Sequence, residues 1–91
     1  MTEVAEVKKF ARDASAQYDS KLLSNFRAVT GRNVNLRTRP SINSEVIMQL
    51  NVGNIVKILD KSDRSWLLVE FSDNGFIAQG WIARRYTTHF K

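Results

Sequence analysis

The sequence predicts a mainly β fold: a small antiparallel barrel of five to six strands behind an N-terminal α-helical extension. Three observations carry that prediction. Apolar residues recur at helical spacing only before about residue 18, whereas from Ala28 onward they alternate at period two. The alternating runs are short and broken by Gly, Asn, Asp and Ser, which is the rhythm of small barrels. At 91 residues the chain is one domain, near the lower end of what builds a core unaided.

Residues 2–18 carry the helical pattern. Thr2 is placed to cap the first turn, Glu3 and Glu6 lie near the positive end of the dipole, and Lys8, Lys9 and Arg12 follow. Val4, Val7, Ala11, Ala14 and Tyr18 fall three or four apart and form one apolar stripe, with Phe10 at its flank. A stripe this rich in small residues does not hold a lone helix in water, so it must dock on the barrel, on a second copy or on a further part of a longer protein. Asp19-Ser20 reads as a stop or a second cap. Lys21 to Phe26 reads as one more helical turn, with Leu22, Leu23 and Phe26 anchoring the extension. The extension is therefore expected over residues 1–27 and the barrel over 28–91.

From Ala28-Val29-Thr30 the strands begin, with a kink allowed at Gly31-Arg32-Asn33. Val34-Asn35-Leu36-Arg37 puts Val34 and Leu36 on one face, and Pro40, the single proline, ends the run. Asn35 is read as a structural residue that satisfies a neighbouring loop backbone. Ser41 to Ser44 suits a loop closed by its own side chains. Further strands follow at Glu45–Leu50, Ile55–Leu59, Trp66–Phe71, Phe76–Ile82 and Thr87–Phe90. Leu67, Val69 and Phe71 face inward, and Trp66 and Leu68 face the other way. Asp73-Asn74-Gly75 is a hairpin turn, because Asn-Gly accepts the positive φ that tight turns require.

Composition narrows the function classes. Hydrophobic residues make up 43% and charged residues 25%, values that exclude a disordered chain. Without cysteine there is no disulfide and no thiolate metal site. No apolar run approaches the roughly 18 residues of a membrane span, and the acidic, interrupted start is not a secretory leader. Met1, taken as the natural start, places the protein in the cytoplasm. The formal charge is +5, and residues 29–91 hold most of the excess, with nine Lys/Arg against five Asp/Glu. That balance favours acidic partners.

Chemistry is absent from the motifs. His89 is the sole histidine, close to the chain end, with no nucleophile motif and no second ligand at metal-binding spacing. No enzyme activity, metal or cofactor is expected.

Val34-Asn35-Leu36-Arg37, Pro40, Leu50 with Gly53, Val56, Trp66 with Val69, Gly80-Trp81-Ile82 and Tyr86 together resemble the bacterial Src-homology-3 (SH3b-type) domain over about residues 29–90. The resemblance implies an SH3-like, strongly bent barrel and a role in binding rather than catalysis. Bacterial relatives bind cell-wall peptides or proteins, and eukaryotic ones bind proline-rich peptides in an aromatic groove. It puts Trp66 in the place of the groove tryptophan and Tyr86 in that of the tyrosine after the last short turn. The Thr38–Val46 loop takes the place of the long first loop. Two departures stand out. Ala83-Arg84-Arg85 replaces a proline-containing turn, and Arg37 and Arg39 face only Glu45 where eukaryotic first loops are acidic. A basic proline-rich ligand is therefore disfavoured.

The expected ligand-binding residues are Trp66, Tyr86, Arg37, Arg39, Glu45 and Arg84, with Arg85 on the same basic rim. Three readings of the function compete. The first is a peptide- or protein-binding module that takes acidic ligands. The second is a structural or assembly domain whose helix mediates homo-oligomerisation or covers the groove. The third is nucleic-acid or cell-wall peptide binding. Nucleic acid is disfavoured by the absence of a basic run, and a membrane by the absence of an apolar one.

Overall fold

The alternating runs form seven strands in the computed structural model, which describes residues 4–9, 11 and 23–90. They are β1 (Phe26–Val29), β2 (Val34–Arg37), β3 (Val46–Leu50), β4 (Ile55–Asp60), β5 (Trp66–Asp73), β6 (Phe76–Ala83) and β7 (Thr87–His89). A 3-10 turn, Arg84–Tyr86, links the last two. Every pairing is antiparallel, in the order β3-β2-β6-β5-β4-β1-β7. The count exceeds the expected five to six because the kink at Gly31–Asn33 cuts one run into two strands with different neighbours. β1 pairs with β4 and β7, and β2 pairs with β3 and β6.

The sheet is curled. β3 and β1 stand five places apart in it, which in a flat sheet is a separation of roughly 24 Å. Yet Leu50 of β3 and Val29 of β1 belong to one core cluster with Leu36, Val56, Leu67, Val69 and Ile82. Only a bent sheet brings both edges onto the same filling. The inward set of β5 is as the alternation predicts, with Leu67 and Val69 fully buried and Phe71 packed against the cluster.

Close packing explains two glycines. A Cβ on Gly80 would lie 2.7 Å from the Arg37 carbonyl oxygen and 2.9 Å from Leu36 Cγ, so β2 crosses β6 there only over a bare backbone. At the hairpin tip Asn74 (φ 49) and Gly75 (φ 87) both adopt the left-handed conformation expected of an Asn-Gly turn.

One expectation near the N-terminus changes. Phe26, read as helical, is the first residue of β1, and the helical turn ends at Leu23 before a turn at Ser24 and Asn25. Pairing with Lys57 across β4 outweighs the local pattern. In the extension, residues 4–9 and 11 are helical, with Val7 and Ala11 buried and Glu6, Lys8 and Lys9 exposed, as the stripe requires. The Thr2 cap and the stripe positions Phe10, Ala14 and Tyr18, like the anchor Leu22, lie outside the described residues. Among the described residues no helix is long and apolar enough to cross a membrane.

Candidate functional site

A groove of about 920 Å³ opens where the β1–β2 connection, the loop before β5 and the 3-10 turn converge. Its aromatic wall is Trp66 and Tyr86. Each is set in place by local hydrogen bonding.

Trp66 starts β5 immediately after a charged loop. The Asp63 carboxylate folds that loop by accepting the backbone N–H groups of Ser65 (2.7 Å) and Trp66 (3.0 Å). Across the sheet Trp66 faces Ala83, which leaves the half-buried indole room to line the groove. Tyr86 closes the 3-10 turn and is 39% exposed, enough to offer its ring. Its carbonyl accepts the Thr30 N–H at 2.8 Å. Its ring lies against Gly31, where a Cβ would sit 3.3 Å from Tyr86 Cδ1 and 2.7 Å from Val34 Cγ2. Gly31 is thus small because the tyrosine passes beside it.

Arginines form the rest of the rim. Arg84 donates from Nη2 to the carbonyls of Lys61 (2.9 Å) and Asp63 (2.6 Å), and its own N–H bonds the Ser65 carbonyl, which staples the 3-10 turn to the Trp66 loop. Arg37 donates from Nη1 to the Ser44 carbonyl at 2.8 Å. The Arg85 guanidinium stands over the Tyr86 ring, 4.9 Å from its centre. Arg27, on β1, reaches His89 Nδ1 at 3.3 Å, a bond in which that nitrogen must be the acceptor. Burial, and next the positive charge of Arg84, lower the Arg27 pKa, although a guanidinium stays charged. The Nε atoms of Arg27 and Arg84 are buried and, among the described residues, meet no hydrogen-bond acceptor.

Of the residues expected to bind ligand, the fold gathers Trp66, Tyr86, Arg37 and Arg84 around this one groove. Arg39 and Glu45 do not line it. Their carbonyls instead organise the first loop: that of Arg39 accepts from Ser41 N–H and the Ser44 hydroxyl, and that of Glu45 accepts from Thr38 N–H. Ser44 is buried, with its hydroxyl 2.7 Å from the Ser41 carbonyl, so this loop is closed by its own side chains as its composition predicts. Asn35 also lines the groove, but its amide oxygen accepts from Gln49 on β3 and not from a loop backbone. Arg27, Arg32 and Arg64 also line the groove and were not among the expected ligand-binding residues. Each is a lone arginine in its own segment, so no local pattern marks it.

Residues 32–88 match the family model of the bacterial SH3 domain. The chain belongs to that family. No match was found among curated proteins or among solved structures. The matched span of this bacterial SH3 domain runs from the start of the β1–β2 kink to β7 and takes in almost all of the groove. Domains of this family are binding modules. Among the described residues no cluster of three or more His, Cys, Asp or Glu could hold a metal ion.

Proposed function

We propose that this bacterial SH3 domain is a non-catalytic interaction module. It binds a peptide or protein segment in the groove bounded by Trp66, Tyr86 and the Thr38–Val46 loop. One observation carries the reading: two rings held half open by separate hydrogen-bonded loops face the same depression, with Arg37 and Arg84 on its rim. Half-exposed rings beside fixed polar groups suit an extended chain, since each ring offers apolar area at small entropic cost. The test is a titration with a peptide library, followed by amide shifts in solution. Shifts centred on Trp66, Tyr86 and Ile42 are expected. A library that moves none of them removes the groove as a site.

A second reading draws on the helix. Val7 and Ala11 are buried, so the apolar face of residues 4–9 and 11 is packed at these two positions, and the extension would cover a surface or join two copies. Deleting residues 1–22 separates the two. Under the first reading the groove binds as before and the mass in solution stays that of a monomer. Tighter peptide binding or a lost oligomer would favour the second.

A further inference from the structure

Six of the chain's eight arginines line the groove, and among the described residues no lysine does. We infer that the segment taken up there is acidic, a chain carrying several carboxylates. This rests on the groove being the binding site, as proposed above, and adds the chemistry of what it binds.

Three observations point to it. The first is the absence of counter-charge. Among the described residues no Asp or Glu side chain belongs to the lining. The groups that orient four of the six are neutral: two loop carbonyls for Arg84, the Ser44 carbonyl for Arg37, a ring nitrogen for Arg27 and a ring face for Arg85. Such contacts aim a guanidinium without cancelling its charge, and the repulsion remains, as Arg84 shows by lowering the Arg27 pKa. A ligand carboxylate relieves it.

The second is the choice of arginine. Its planar fork pairs with a carboxylate through two parallel N–H bonds and sheds water more readily than an ammonium. A diffuse electrostatic surface would use lysine as well. The third is extent. The arginines come from β1, the β1–β2 kink, β2, the loop before β5 and the 3-10 turn, and about 920 Å³ is near the top of the range of roughly 300–1,000 Å³ for small-ligand clefts. One small anion would leave most of them unmet. An extended acidic segment meets several at once.

Single-stranded nucleic acid offers the same charge, but it binds by stacking bases on open rings. Here Arg85 already stands over Tyr86, and Trp66 is half buried. The rings favour a peptide.

The experiment uses the full chain and three labelled probes in an anisotropy titration. They are a ten-residue peptide alternating glutamate with leucine and tyrosine, its glutamine analogue, and a ten-nucleotide oligothymidine. The glutamate peptide should bind at least about tenfold more tightly than the glutamine one, a difference that disappears near about 0.5 M salt. Arg64→Gln with Arg85→Gln, both at exposed positions, should remove most of that difference, and a difference that survives both substitutions overturns the role given to the arginines. Equal binding of the two peptides overturns the acidic preference and leaves the groove reading intact. Tighter oligothymidine binding overturns it in favour of nucleic acid. If neither peptide binds, both readings fall together.

Discussion

The two ends of the β5–β6 hairpin differ in one instructive way. At one end Trp66 faces Ala83 and borders the arginine groove. At the other Asp73 pairs with Phe76 beside the turn, with Phe76 54% and Ile77 61% exposed. The tip thus exposes two large apolar side chains. What sets the groove end apart is convergence: Asp63, Arg84 and Gly31 come from three segments to hold Trp66 and Tyr86. Exposed apolar area alone is common on soluble domains. Half-buried rings fixed among directed donors are not.

The comparison can be broken most severely from the middle. Leu67 is fully buried and pairs with Ile82, between the two ends. Leu67→Ala should cost about 2–5 kcal/mol by leaving a cavity, and both ends should melt together in urea unfolding. Next comes Gly80→Ala, which forces a methyl onto the Arg37 carbonyl. It should destabilise by about 1–3 kcal/mol and shift the amides of β2 and β6, with the groove disturbed more than the tip. Gly31→Ala sharpens the contrast further. The new methyl displaces Tyr86 and Val34, so peptide affinity should fall with a stability loss of only about 1 kcal/mol. Asp63→Ala releases the Ser65 and Trp66 amides and should cost about 1 kcal/mol. Weaker indole shifts on ligand addition should accompany it. Smallest of all, Ile77→Thr and Phe76→Thr at the tip should change stability by no more than about 0.5 kcal/mol and leave peptide binding unaltered. A tip substitution that abolished binding would reverse the assignment of the two ends.

Much of the fold was legible in the residues themselves. Alternation placed Leu67 and Val69 inside and Trp66 outside, and Asn74-Gly75 marked its turn, because period two and positive φ are local properties. The family pattern pointed to Trp66 and Tyr86, which share one groove with Arg37 and Arg84. Phe26 misled because a strand's neighbour, here Lys57, decides between helix and sheet where the local pattern is weak. Arg39 looked like Arg37 in the sequence, yet only Arg37 lines the groove. A register shift between Leu36 and Arg37 and the loop folded around Ser44 separate the two.

The sequence by itself determined that this chain would make a small β barrel of the SH3 type with a basic surplus and two tryptophans on its strands. Only the tertiary structure decided where that surplus goes. Arg27, Arg64 and Arg84 lie far apart along the chain, and each is unremarkable in its own segment. Curling the sheet over its buried face draws β1, the Asp63 loop and the 3-10 turn to one rim. Charge is additive over space and not along the chain, so the groove's positive rim exists only once the sheet has curled.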